Sequence, residues 1–302
     1  MANLKAIRKR IASVKSTQKI TRAQKMVAGA RLTKAQQRIA ALRPYAVKTA
    51  QVLAEVAARS SEDESAESSE GHPLLARRPE KTVLLVVISS DRGLCGAFNT
   101  NILRAATRVW REREAAGQAV KIITIGRKAR DYFRRRNAPV LEVMAGVWEK
   151  LDIEQARRIA RTVLTPFVTG QVDSIYLVYN EFKSAMSQRV VTEPLFPLQK
   201  PEQTAEQAQQ PEWAQNREYL FEPDRNVLLE RLIPMYIEVS ILRALYESNA
   251  SELGSRMTAM ESATKKAAEM IGKYTLIYNR ARQAAITTEL MEIISGAEAL
   301  RE

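Results

Sequence analysis

The stretch Leu32-Thr33-Lys34-Ala35-Gln36-Gln37-Arg38-Ile39-Ala40-Ala41-Leu42-Arg43-Pro44-Tyr45-Ala46-Val47-Lys48-Thr49-Ala50-Gln51-Val52-Leu53-Ala54-Glu55-Val56 decides the fold. Leu32, Ala35, Ile39, Leu42, Ala46, Thr49, Leu53 and Val56 follow an unbroken alternation of three and four residues. That period is the seam of a coiled coil, narrower than the apolar stripe of a helix lying on a globule. Small residues in it, Ala35 and Ala46, suit a close approach to a second helix. Pro44 is expected to kink the helix or mark a weak point.

Upstream, Leu4, Ile7, Ile11 and Val14 keep the same spacing, so residues 1–59 are expected to be one coiled-coil helix. Gly29 and Pro44 are its only helix breakers. The far end mirrors it. Residues 225–302 are helix-forming, with Pro234 near the start. Met257, Met260, Thr264, Ala267, Ile271, Tyr274, Tyr278 and Ala281 repeat the alternation. Ile286, Leu290, Ile293, Ala297 and Leu300 are expected to continue it after a shift in register. A helix of that length would span on the order of 100 Å, so much of it is expected to project, paired antiparallel with its counterpart.

Between the helices the texture changes. Residues 60–71 are acidic and Ser-rich and read as a solvated loop. Strands are expected at 83–89, 120–125 and 173–179, with a late one at 189–198. Helices at 97–114, 127–136 and 153–168 alternate with them, the pattern of a small Rossmann-like α/β domain over 76–222. Residues 199–216, rich in Gln, Glu and Pro without hydrophobic period, read as an exposed insertion. The fold class is thus α/β plus long α: an antiparallel two-helix coiled coil from the two ends of the chain, with the α/β domain inserted.

Composition removes several classes of function. No stretch approaches the roughly 20 apolar residues of a membrane-spanning helix, so membrane contact is expected only through partners. One cysteine, Cys95, permits no internal disulfide, and one histidine, His72, leaves little for a metal site or a catalytic triad. No metal, cofactor or catalytic residue is expected. Residues 91–96, Asp-Arg-Gly-Leu-Cys-Gly, stand where a phosphate-binding loop would, after the first strand. They lack the third glycine of a dinucleotide fingerprint and the Gly-Lys of a P-loop, and read better as a tight turn with Cys95 a packed thiol. The pairs Glu62/Glu64 and Glu289/Glu292 read as solvated faces, and Met257, Met260, Met270 and Met291 as seam or contact positions.

The net charge of +13 is uneven. Residues 1–59 hold fourteen Lys or Arg against one acid, Glu55, whereas residues 225–302 hold ten of each sign. The N-terminal helix therefore seeks an acidic partner. A mitochondrial transit peptide would share the charge but not sixty residues of constant register. A nucleic-acid-binding helix is the rival reading, but no DNA-reading motif accompanies the charge, and Tyr45 is the only aromatic in the first 59 residues.

Residues 286–299, Ile-Thr-Thr-Glu-Leu-Met-Glu-Ile-Ile-Ser-Gly-Ala-Glu-Ala, resemble the C-terminal signature of the ATP synthase gamma subunit family. Residues 278–284 (Tyr-Asn-Arg-Ala-Arg-Gln-Ala), 11–14 with 17–21, and 90–96 are similar to the same family, in its order. The resemblance implies a non-catalytic shaft within a ring of alpha and beta subunits, coupling proton flow through a c-ring to ATP synthesis or hydrolysis, with an epsilon or delta-type subunit at its base. It also implies a peripheral place on the cytoplasmic face of a bacterial inner membrane, or the organellar equivalent. Arg282 and Gln283 resemble the polar catch on a catalytic-subunit loop, and Arg256, Thr287 and Glu289 match positions linked to coupling. Lys19, Arg22 and Lys25 fit opposite acidic loops of the catalytic subunits. Tyr219 and Glu222 match the foot that meets the c-ring. Chloroplast-type relatives carry a regulatory cysteine pair near 199–216, where this chain has none, so no thiol switch is expected.

Overall fold

The computed structural model describes residues 4–60, 79–197 and 225–299. Helix α1 (Leu4–Ser60) is followed by strand β1 (Thr82–Ile88), α2 (Phe98–Ala115), β2 (Ala119–Ile125), α3 (Arg127–Arg134), β3 (Val140–Met144), α4 (Ile153–Val168), β4 (Ser174–Phe182) and β5 (Gln188–Phe196). The last element is α5 (Arg225–Ala299), of 75 residues. The solvated loop, His72, the insertion, Tyr219 and Glu222 lie outside the described residues. Two compact units result: Arg31–Ser255, and Met1–Ala30 with Arg256–Glu302.

The first unit is built on a five-stranded sheet in the order β3-β2-β1-β4-β5. Strands β1 to β4 run parallel and β5 antiparallel to β4. The central strand, Thr-Val-Leu-Leu-Val-Val-Ile, is apolar on both faces because both are covered. Alternation sends Val83, Leu85 and Val87 to one layer with Phe98, Ile102, Ala106 and Phe133 of α2 and α3. Leu84, Val86 and Ile88 go to the other, with Ile159, Val163 and Phe167 of α4 and Leu229, Ile233, Ile237 and Ile241 of α5. Leu53 of α1 joins this second layer. Helix α4 starts on Asp152, whose carboxylate accepts the Gln155 N–H at 3.0 Å and is held below its usual pKa chiefly by that bond.

Strand β3 was not among the expected strands. It is an edge strand, Val-Leu-Glu-Val-Met, with only Met144 buried, so it lacks the solid apolar run that marks its neighbours. The other strands fall within a few residues of expectation. Helix α3 stops at Arg134, two residues short, and Arg135 to Asn137 form the turn into β3.

Helix α1 runs unbroken through Pro44, which is exposed away from the seam. The expected seam residues Leu32, Ala35, Ile39, Thr49 and Leu53 are buried, and Leu42 and Ala46 half-buried, while their neighbours on the outer face are exposed. Leu32, Ala35 and Ile39 pack with Ala250 and Leu253 of α5. The guanidinium of Arg38 lies 6.0 Å from the Tyr246 ring centre.

Candidate functional site: the paired terminal helices

In the second unit the seam of α1 continues through Leu4, Ile7, Ile11, Val14, Gln18, Thr21, Lys25 and Ala28, all buried or half-buried. Gln18, Thr21 and Lys25 fill the gap between the two apolar runs read from sequence, so one heptad register holds from Leu4 to Leu53. Apolar periodicity alone passes over these three. The facing residues of α5 are Met260, Thr264, Ala267, Ile271, Tyr274, Tyr278, Ala281 and Ala285.

Three contacts fix the pairing as antiparallel. The hydroxyl oxygens of Thr21 and Thr264 lie 2.8 Å apart, one donating to the other. Lys25 Nζ is 3.1 Å from Glu261 Oε1, and a side chain at Gly29 would meet Met257 Sδ at 3.5 Å. The Glu261 carboxyl is held below the usual carboxylate range, first by its hydrogen bond to Lys25 and then by the charges of Lys25 and Lys265. Lys25 is thus engaged within its own chain, whereas Lys19 and Arg22 are exposed with no ion pair among the described residues. Arg8, Lys15 and Arg22 recur every seven residues beside the seam, and all three are exposed.

Beyond Ala285 the expected shift of register does not occur. From the Thr21–Thr264 pairing, Leu4 stands level with about Ala281. The residues after Ala285 have therefore passed the first described residue of α1 and face no helix among the described residues. Ile286, Leu290, Met291 and Ile294 are more than half exposed and Ile293 is 72 % exposed. This tip carries Arg282, Gln283, Thr287 and Glu289, all exposed; the Thr287 hydroxyl donates to the Gln283 carbonyl at 3.0 Å. At 100° per residue, Arg282, Gln283, Ile286, Glu289, Leu290 and Ile293 fall on one face, mixing charge with branched apolar surface. Arg256 is half-buried at the near end of the unit. Met257 is half-buried and Met260 buried in the seam, while Met270 and Met291 are exposed.

The other candidate, the 91–96 loop, is closed by its own side chains. The Asp91 carboxylate accepts the Arg127 N–H at 2.8 Å and the Gly146 N–H at 3.2 Å, and Ser89 Oγ accepts the Ala129 N–H at 2.9 Å. The bonds to Arg127 and Ala129 cap the start of the neighbouring α3. Gly126, at φ +96°, is required there because a Cβ would strike the Ser89 carbonyl. Within the loop itself Asn99 Oδ1 accepts the Ser90 N–H at 3.1 Å, Asn99 Nδ2 donates to the Arg92 carbonyl at 3.4 Å, and the Phe98 N–H that opens α2 donates to the Cys95 carbonyl at 3.2 Å. Cys95 is buried, with Asn99 Nδ2 3.1 Å from its sulfur. Among the described residues no group of three His, Cys, Asp or Glu is disposed to hold a metal ion. Among them, too, no helix is long and apolar enough to cross a membrane.

The fold and this surface define a shaft-type protein, in which two terminal helices pair and end in a single-helix tip with an α/β domain between them in sequence. The profile of the ATP synthase family matches residues 3–300. The sequence is 55% identical over 323 positions to the ATP synthase gamma chain of Sorangium cellulosum, and 48% identical over 303 to that of Geobacter metallireducens, each alignment covering all of both chains. Among solved structures, a chain of the central stalk and c-ring of the Tetrahymena thermophila mitochondrial ATP synthase is similar. The TM-score is 0.62 at 28% identity, over 81% of this chain and 99% of that one. A chain of the Euglena gracilis mitochondrial ATP synthase rotor shares the fold at TM-score 0.63 and 20% identity, over 94% of this chain and 98% of that one. The chain belongs to the ATP synthase gamma chain family.

Proposed function

We propose that this chain is the rotating central shaft of an ATP synthase, linking a proton-driven c-ring to the nucleotide sites of a surrounding ring of alpha and beta subunits. The observation that carries the reading is the tip of α5, a stretch of exposed Ile, Leu and Met with Arg282, Gln283, Thr287 and Glu289 beside them and no helix against it among the described residues. Single-helix apolar surface of this extent suits a sleeve supplied by other subunits. As the shaft turns, its unlike faces meet each catalytic subunit in succession, and differential contact becomes differential nucleotide affinity.

In this reading Arg282 and Gln283 form the polar catch, and Thr287, Glu289 and Arg256 maintain coupling. Lys19 and Arg22 make weak, exchangeable contacts with acidic loops, each worth about 0–1 kcal/mol, and so do not stall the rotor. Lys25 acts through Glu261, holding the two helices in register. Tyr219 and Glu222, close before α5 in sequence, form the foot on the c-ring, with an epsilon-type subunit alongside. The chain supplies no catalytic group and needs no cofactor, and the complex holds it at the membrane surface, on the cytoplasmic face in a bacterium. A basic-helix nucleic-acid binder is disfavoured because no DNA-reading motif and only one aromatic, Tyr45, accompany the charge of α1.

The test is affinity purification of the tagged chain from gently solubilised membranes, followed by reconstitution and ATP-driven proton pumping. Recovery with alpha and beta subunits and a c-ring is expected. Arg282→Ala with Gln283→Ala is expected to lower pumping per ATP hydrolysed by about tenfold. Recovery of the chain alone, or bound to nucleic acid, overturns the shaft reading; unchanged pumping in the double variant removes the catch.

A further inference from the structure

Charge in the middle of the chain sums to zero, yet residues 98–136 carry eleven Lys or Arg against three acids. The excess therefore has a second seat besides α1. Helices α2 and α3 form the outer layer on one face of the sheet, tied together by the Thr107 hydroxyl donating to Tyr132 Oη at 3.2 Å and by Trp110 edge-on to Phe133. Arg113 is paired with Glu80, Arg127 lies near Asp91, and Arg130 is paired with Asp131. Arg104, Arg108 and Arg111 follow at four and three residues along one exposed face of α2, and Arg134 and Arg135 end α3 and open its turn. All five are exposed and have no acid partner among the described residues. The exposed Arg136 has its guanidinium carbon 3.6 Å from the Tyr132 ring centre and donates from Nη1 to the Tyr132 carbonyl at 3.3 Å. Glu112 and Glu114 flank the stripe without neutralising it.

The topology puts the lower half of this patch on one edge of the sheet. Helix α2 descends to the start of β2, where Ala119 stands beside Thr82, and α3 descends to the start of β3, where Val140 stands beside Ile122. Strand β5 ends at that edge too, with Phe196 beside Ile175, and α5 rises from it, since Leu229 belongs to the core while Ser251 bonds the Asn180 carbonyl near the opposite end of β4. The described chain thus leaves the sheet at the end of β5 and returns at the start of α5 on the edge that carries Arg111, Arg134, Arg135 and Arg136; Tyr219 and Glu222 fall between those two points in sequence.

We propose that this arginine edge is a docking surface for the anionic lipid headgroups of the membrane around the c-ring. The proposal rests on the shaft reading, which turns the foot edge toward the membrane. Guanidinium groups suit phosphodiesters, and clustered cations near a lipid surface act together within a Debye length, about 8 Å at physiological ionic strength. A fluid lipid surface has no preferred angle, so a turning rotor keeps its attraction without a detent, whereas an acidic patch on a stationary protein would hold it once per turn. Stacked nucleic-acid bases fit less well, because Tyr132 is covered by Arg136.

The experiment uses the head-and-stalk complex containing this chain, floated with vesicles of phosphatidylcholine alone or mixed with phosphatidylglycerol. Wild type is expected to bind only the mixed vesicles, and to release as salt rises. Arg108→Gln, Arg111→Gln, Arg134→Gln and Arg135→Gln together are expected to lower the bound fraction at least about tenfold. Arg158→Gln with Arg161→Gln, exposed on the opposite layer, is expected to leave it unchanged; thermal melts and ATPase of each complex report folding and assembly. Equal binding by wild type and the four-site variant, equal loss in the α4 control, or a photocrosslinker at position 111 that captures a protein subunit instead of lipid overturns the proposal. Failure of the wild-type chain to enter the complex at all overturns the shaft reading instead.

Discussion

The sheet unit and the paired-helix unit solve opposite problems. In the first, every residue of β1 from Val83 to Ile88 is buried, and helices cover both faces. In the second, the seam is mostly half-buried, three of its positions are Gln, Thr and Lys, and the last turns of α5 expose four large aliphatic side chains and Met291. The sheet unit carries its stability inside itself. The helical unit leaves its apolar surface to others, as an element must if it is to be gripped and released repeatedly.

The widest gap between the units is expected on truncating the cores. Phe133→Ala, deep between α2, α3 and the sheet, is expected to lose about 3–5 kcal/mol by thermal or urea unfolding. Ile11→Ala in the half-buried seam is expected to cost about 1 kcal/mol or less by the same measure; equal losses would erase the comparison. Next is Asp91→Ala, which leaves the Arg127 and Gly146 N–H groups without their acceptor and is expected to cost about 2 kcal/mol with no change in ATP hydrolysis by the assembled complex.

Glu247 is a flaw inside the better-packed unit. It is buried on α5 with Oε2 unbonded, and burial raises its pKa, with Arg243 and Arg43 pulling it down and Glu181 and Glu193 pushing it up. A carboxyl whose folded pKa lies above its unfolded value favours the fold most when protonated, and its contribution falls as pH rises from the unfolded pKa through the folded one. Glu247→Gln is therefore expected to stabilise by about 1 kcal/mol at pH 7 and to flatten the melting-temperature profile above pH 4.5. A destabilised variant would mean that the charge is used by Arg243 or Arg43. The smallest effect is expected at Lys25 and Glu261. Glu261 has a lowered pKa, so the pair's contribution is present above the unfolded carboxyl pKa and lost as pH falls through the folded one. A double-mutant cycle is expected to show a coupling that fades in high salt.

The sequence disclosed most where one chemistry repeats. The alternation foretold which side of α1 is buried from Leu32 to Leu53, and the apolar run 83–88 foretold the central strand. Edge strand β3 was hidden because four of its five side chains stay partly in water. The seam positions Gln18, Thr21 and Lys25 were hidden because their partners, Thr264 and Glu261 among them, lie over two hundred residues away. The tip misled for the same reason in reverse: Ile286, Leu290 and Ile293 have seam spacing, but spacing cannot say whether a second helix is present. The arginine edge escaped because acids elsewhere in the middle of the chain cancelled it in the total.

The hydroxyl pair Thr21–Thr264 and the ion pair Lys25–Glu261 also act as a gauge. Slipping the helices by one heptad would set Lys25 against Ala268 or Gly254, with no carboxylate to meet it, and would lengthen or shorten the free tip by about 10 Å. The reach of α5 beyond its partner is thus dimensioned by two polar contacts more than twenty residues away, and a machine that turns inside a close-fitting bore has its clearance set at a point the bore need never touch.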